Sequence, residues 1–192
     1  MKKLAIFASG SGTNAQKIIE YFLLDRSAEV AIVLSNKKNA MALNRAKQFN
    51  IPAITFSRTT FYETVEILKV LENHNIDLIV LAGFLWLVPG YLLKKYPNKI
   101  INIHPALLPK YGGKGMYGMR VHQSVINSGD QESGITIHYV NEKYDEGAII
   151  FQAKCKINDG DSPEMLAQKI HKLEHGHFPR VIKKLLENEF QT

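Results

Sequence analysis

Along the first hundred positions, short apolar runs alternate with longer stretches of helical spacing. Residues 4–8, 30–34, 53–56, 78–82 and 100–103 are brief runs rich in Val, Ile, Leu and Ala, the pattern of strands buried on both faces. Between them, residues 14–24, 41–49, 61–73 and 89–95 carry apolar residues three or four apart and predict helices. Strand–helix alternation of this kind predicts a parallel sheet with right-handed crossovers, covered on both faces. The pattern then changes. Residues 135–140 and 149–156 read as strands joined by the polar loop 141–147, a hairpin-like excursion. Asp161-Ser162-Pro163 opens a final helix, with a capping side chain followed by proline at the first helical position. With no repeat, low-complexity tract or linker, the expectation is one α/β domain over 1–192 with a Rossmann-like, mostly parallel twisted sheet, helices on both faces and an antiparallel excursion in the C-terminal half.

Composition narrows the class. A chain of 192 residues that is 45% apolar and 22% charged is an ordinary globular domain with room for a core. No apolar run nears the roughly 20 residues of a membrane span. Residues 4–8 are too short for the apolar region of an export signal, and Gly10-Ser11-Gly12 interrupts them. Cys155 is the single cysteine, which excludes an internal disulfide and fits a reducing cytoplasm. It shares a strand face with Phe151 and Ala153 and reads as small core filler. The net charge of +6 points to anionic partners. The lysines are scattered, and the largest cluster, Lys94-Lys95, ends a helix, so no stripe for nucleic acid is evident.

Three places carry candidate chemistry. Ser9-Gly10-Ser11-Gly12-Thr13-Asn14-Ala15 joins the first strand to the first helix, where free N–H groups and the helix dipole favour a phosphate. Gly10, Gly12 and Ala15 fit the dinucleotide fingerprint, but Ser35-Asn36-Lys37-Lys38 ends the second strand without the carboxylate that holds a ribose. NAD is thereby disfavoured, while NADP, or a tight turn with no ligand, stays open. Asn102-Ile103-His104-Pro105 ends a strand, and Asp145-Glu146-Gly147 forms a turn downstream. An amide and an imidazole can hydrogen-bond an oxyanion, and a carboxylate can orient the imidazole and favour its charged form. The alternative is a satisfied strand-end histidine and a turn aspartate. Finally, His171-Lys172-Leu173-Glu174-His175 matches the H-x-x-E-H string of a zinc peptidase class, but a third ligand would have to come from the short remaining tail and Glu174 is itself a separate functional candidate, so no metal is expected. His74 reads as part of a polar helix end and His138 as a core or edge residue. Gly112, Gly113, Gly115 and Gly118 mark a mobile loop beside His104, either a flap or plain surface.

The run Asn102-Ile103-His104-Pro105-Ala106-Leu107-Leu108-Pro109-Lys110-Tyr111 makes a resemblance specific. Ser9 to Asn14, Ser35-Asn36-Lys37, Leu81-Ala82-Gly83-Phe84, Asp145-Glu146-Gly147 and Glu174-His175 before Pro179 extend it nearly end to end. The chain resembles the phosphoribosylglycinamide formyltransferases, folate-dependent enzymes of purine synthesis. The resemblance implies transfer of a formyl group from 10-formyltetrahydrofolate, the co-substrate, to the amine of glycinamide ribonucleotide, without a metal, in a cytoplasmic monomer or homodimer. It implies a catalytic trio of Asn102, His104 and Asp145. Gly12, Thr13 and Asn14 would hold the phosphate, Glu174 the ribose hydroxyls, and His171 would lie near the phosphate. The folate would lie against Leu85, Trp86, Leu87 and Val88 and the loop bearing Asn141, Tyr144 and Asp145, with Asn102 alongside. Residues 1–100 then form a phosphate-binding half and 101–192 a catalytic and folate-binding half. Two anionic substrates account for the charge without nucleic acid or a membrane.

Departures from the family pattern bear on the folate side. Trp86 stands where many members carry arginine, which implies a more apolar pocket. The glycine-rich loop is longer than in typical bacterial members, and Arg58 is the nearest candidate for a tail-binding cation. Within the superfamily, a methionyl-tRNA formyltransferase would carry a further C-terminal domain, and a formyltetrahydrofolate deformylase an N-terminal regulatory one. From other classes, an NADP-binding reductase or a silent nucleotide-binding module remain as rivals.

Overall fold

The computed structural model describes residues 1–188. Its alternating half runs β1 (Lys2–Phe7), α1 (Thr13–Asp25), β2 (Ala28–Ser35), α2 (Met41–Gln48), β3 (Ala53–Thr55), α3 (Arg58–Tyr62), α4 (Glu66–Asn73), β4 (Leu78–Leu81), α5 (Gly90–Lys95) and β5 (Ile100–His104). The remainder is α6 (Met119–Asn127), β6 (Glu132–Tyr139), β7 (Ile149–Lys156) and α7 (Pro163–Asn188). All the strands join one sheet in the order β3-β2-β1-β4-β5-β6-β7. The β3 to β5 stretch is parallel, and β6 and β7 are added antiparallel.

Side-chain alternation on β1 divides the core. Leu4 and Ile6 face a cluster with Ile18, Ile19, Val121, Val125, Phe178 and Ile182 from α1, α6 and α7. Ala5 and Phe7 face a second cluster with Phe56, Phe61, Ile67, Leu71 and Leu92. The two clusters seal the two faces of the sheet, as the continuous apolar runs require. The strand order also fixes where a ligand fits. From β1 the chain winds outward to β2 and β3, then returns to the other side of β1 at β4. The crevice at the carboxyl ends of β1 and β4 is therefore the topological switch point.

Two expectations change. The helix read over 61–73 is two helices, because Thr64 breaks it. Its hydroxyl donates to the Thr60 carbonyl (2.9 Å) and accepts from the Glu66 amide (3.2 Å), capturing the backbone locally. Ser57 meanwhile caps α3 upstream by accepting from the Thr60 amide at 3.0 Å. The second change is α6, which the sequence reading missed behind its glycines. Val121 and Val125, one turn apart and fully buried, anchor it. Cys155 is half-buried on edge strand β7, beside Phe151 and Ala153 on the core side.

Candidate active site

At the switch point the backbone is tied before any ligand arrives. The Ser9 amide donates to the Gly83 carbonyl (3.0 Å), its hydroxyl to Asn36 (2.8 Å), and that hydroxyl accepts from the Leu85 amide (3.1 Å). One serine thus joins the ends of β1, β2 and β4. Gly12, which caps α1, has a left-handed φ of 73°, and a Cβ there would lie 2.4 Å from Ala42 Cα. Only glycine fits. No side chain caps α1 and no acidic residue stands in its first turn, so its amides are left for an anion. Arg45 Nε holds the loop by donating to the Ser11 carbonyl at 2.8 Å.

Asn14 reaches across to α7, where its Nδ2 donates to Glu174 Oε2 at 2.9 Å. Glu174 is 6% exposed, and burial pushes its carboxyl up to about 7 against the lowering effect of that hydrogen bond. Among the described residues, Asn14 Oδ1 is buried without a partner. His171 and His175 stack with ring centroids 6.1 Å apart. Among the described residues, no group of three His, Cys, Asp or Glu is placed to hold a metal ion.

The chemistry-bearing side chains meet at the end of β5. Antiparallel register sets Asn102 opposite His138 on β6. Asn102 Nδ2 lies 3.1 Å from His138 Nε2 and donates to Asp145 Oδ1 at 3.4 Å. His138 Nε2 is itself 3.6 Å from Asp145 Oδ1, and its Nδ1 donates to the Tyr139 carbonyl at 2.8 Å. Asp145 Oδ2 accepts from the Gly113 amide at 2.9 Å and lies 3.5 Å from His104 Nδ1. His104 Nε2 donates to the Tyr111 carbonyl at 2.7 Å. Asp145 holds this place with a left-handed φ of 58°, a conformation that costs energy for a residue with a Cβ. His138, 2% exposed, is the core residue of the two alternatives the sequence left, and its contacts to Asn102 and Asp145 also make it part of the network.

Burial alone would raise the Asp145 carboxyl. The His138 ring, the charge of His104 and the Gly113 amide outweigh it and hold the group below the ordinary carboxylate range. His104 corrects the expectation that Asp145 keeps it charged. Burial lowers its pKa, and Asp145 and the Tyr111 carbonyl only partly offset that. In the free protein the imidazole leans to its neutral form.

Both groups of residues line a single cavity of about 610 Å³, with Gly12, Thr13, Asn14, His171 and Glu174 together with Asn102, His104 and Asp145. A formyl transferase family model matches residues 2–182. The chain is also 41% identical over 196 residues to a phosphoribosylglycinamide formyltransferase of Haemophilus influenzae, covering 100% of this chain and 90% of that one. The chain belongs to the phosphoribosylglycinamide formyltransferases. The crystal structure of the Bacillus halodurans phosphoribosylglycinamide formyltransferase superposes with a TM-score of 0.87 at 37% identity, over 96% of this chain and 95% of that one. That of glycinamide ribonucleotide transformylase 1 from Symbiobacterium toebii gives 0.89 at 32%, over 98% and 89%.

Against that family background, the wall bearing the departures is mostly apolar. Leu85, Trp86, Leu87, Val88 and Tyr144 line the formyltransferase cavity. Trp86 packs against Phe56, Phe61, Tyr62 and Phe84, and the Arg58 guanidinium lies 4.8 Å over the Tyr62 ring and 5.7 Å over Trp86. Asn141 does not line the cavity. Its side chain accepts from the Lys143 amide at 2.9 Å and so shapes the loop. The cavity also recruits Lys37, Met116, Tyr117 and His122, which the motif reading did not assign. The glycine-rich segment supplies Met116 and Tyr117 of these, and its Gly113, Lys114, Gly115 and Gly118 line the cavity as well. Among the described residues no helix is long and apolar enough to cross a membrane.

Proposed function

We propose that this chain transfers the formyl group of 10-formyltetrahydrofolate to the amine of glycinamide ribonucleotide. The observation that carries the proposal is the convergence of Asn102, His104 and Asp145 on the same cavity as the open N-terminus of α1. The ribonucleotide phosphate sits at the amides around Gly12, Thr13 and Asn14, with His171 nearby. Glu174 and the orphaned Asn14 oxygen take its ribose hydroxyls. The folate lies against residues 85–88 and Tyr144, with Trp86 in place of a cation.

The amine attacks the formyl carbon, the carbon–oxygen π pair moves onto the formyl oxygen, and a new carbon–nitrogen bond forms. Asn102 and His104 supply donors to that oxygen. His104 Nε2–H is committed to Tyr111, so the Nδ1 edge, beside Asp145, is the one that turns to the formyl group when the ring takes a proton. Asp145, kept anionic, favours that protonation and accepts the proton leaving the amine. Collapse breaks the bond to the folate nitrogen, which receives the proton. Donors held ready in this way are worth ~10²–10³ in rate each.

Mixing the chain with both substrates and following the absorbance of folate deformylation tests the proposal. Turnover that requires the ribonucleotide supports it, whereas deformylation without the ribonucleotide would instead indicate a hydrolase. NADPH binding seen by fluorescence would favour the reductase reading.

A further inference from the structure

His122, on α6, is 3% exposed, and neither of its ring nitrogens has a hydrogen-bond partner among the described residues. Buried polar atoms are almost always paired, so an unpaired ring in a ligand cavity asks what completes it. The residue lines the cavity and lies within electrostatic reach of both His104, at the catalytic end, and His171, at the ribonucleotide end.

Nδ1 is the nitrogen sealed from solvent. A sealed lone pair is tolerated better than a sealed N–H, so the proton belongs on Nε2, the nitrogen left to the cavity. Burial, with His171 and His104 adding to it, pushes the ring down to about 4, so it is neutral at working pH. A neutral donor is a poor match for a phosphate, which the α1 amides already serve. It matches a neutral acceptor. In the ribonucleotide, the group between the ribose, at Glu174, and the reacting amine, at Asp145, is an amide.

We infer that His122 Nε2–H donates to the amide carbonyl of the ribonucleotide's glycinamide arm, selecting that arm and setting the reach of the amine toward the formyl carbon. The assignment rests on the formyl-transfer reading above. It makes α6 a specificity element rather than a spacer between the glycine-rich segment and β6.

Replacement by leucine separates this role from packing. His122→Leu removes both nitrogens at similar volume, so its thermal midpoint should hold or rise because an unpaired polar group is gone. Its KM for the ribonucleotide should rise about tenfold, the loss of one hydrogen bond, while folate affinity stays unchanged. His122→Gln, whose amide N–H reaches the Nε2 position, should recover much of that loss. A Leu variant with ribonucleotide KM within twofold of an active wild type overturns the assignment, whatever its midpoint. Where Leu lowers the midpoint and raises KM together, the Gln variant decides: recovery supports the contact, and a stable Gln variant without recovery overturns it. Absence of wild-type turnover overturns the formyl-transfer reading itself, and the His122 contact falls with it.

Discussion

The two halves of the molecule build their shares of the cavity from different material. On the N-terminal side the site is mostly backbone: amides at the start of α1, a glycine that nothing else can replace, and Ser9 fastening three strand ends. On the C-terminal side it is a side-chain network, with Asn102, His104, His138 and Asp145 supplied by β5, β6 and the loop after β6. Backbone amides cannot be titrated and suit a permanently charged phosphate. Side chains can gain and lose protons, which formyl transfer requires. The comparison predicts that damage to one half shows in ribonucleotide binding and damage to the other in turnover.

Asp145→Asn should have the largest effect. The amide keeps the size and the contact with Gly113 but loses the charge, so both substrates should still bind while turnover falls by ~10²–10³ or more. The pH profile gives the sign. Burial lowers the His104 pKa, and the Asp145 anion is the main influence raising it. Without that anion the pKa falls further, and the limb of the kcat profile that reports His104 moves to lower pH. Near-normal turnover with an unmoved limb would reduce Asp145 to a turn residue.

Glu174 shows that the proposed ribonucleotide end of the cavity, which α7 of the C-terminal half completes, is not wholly inert to protons. Its pKa of about 7 lies above the 4.5 of an ordinary glutamate, so folding favours the protonated form. Its stabilising contribution is full below about pH 4.5 and is lost as pH rises through 7. At 1.36 kcal/mol per unit the loss is on the order of 3 kcal/mol. Urea unfolding at pH 5 and pH 8 measures it: Glu174→Gln should flatten the decline seen in the wild type. An equal decline in both would place the pH dependence elsewhere.

The same division explains what was legible in the sequence. Strand–helix alternation, glycine spacing and helix starts are local signals, so the parallel sheet and the glycine-led start of α1 could be read directly. The trio was legible as residues, and its family match supplied the roles. Its electrostatics were not, because the Asn102–His138 pairing depends on antiparallel register and the Asp145 position on a left-handed backbone. His138 reads from the sequence as a core or edge residue with no part in the site for that reason. His104 was read as charged because proximity to a carboxylate can be guessed from sequence and burial cannot. The α6 helix was hidden because four glycines nearby outweighed the Val121 and Val125 spacing.

Gly12→Ala breaks the backbone half with a single methyl group. It adds a Cβ against Ala42 at a φ of 73° and should cost about 1–3 kcal/mol of stability. It should also weaken ribonucleotide binding at least tenfold by shifting the amides. Thr13→Ala, which leaves the backbone in place, should do less. Calorimetry with each substrate separates the cases: equal losses for folate and ribonucleotide would contradict a phosphate site in this loop.

The smallest effect is expected on the folate wall, where it can be seen most directly. Trp86 is the only tryptophan, lines the cavity, and is braced by Phe56, Phe61, Tyr62 and Phe84. Its fluorescence is therefore a local reporter on the wall proposed to hold the folate. Folate addition should quench it, and ribonucleotide addition alone should leave it nearly unchanged. Trp86→Phe keeps an aromatic face but gives up contact area and part of the stacking with Arg58. Aromatic contacts of this kind are worth ~0.5–1.5 kcal/mol, so the folate KM should rise by roughly two- to tenfold with kcat and ribonucleotide KM held. The trio is untouched, so no pH limb should move. A tryptophan signal that follows ribonucleotide as strongly as folate, or a Phe variant impaired chiefly in kcat, would mean the two substrates share this wall, and the division of labour between the halves would have to be abandoned.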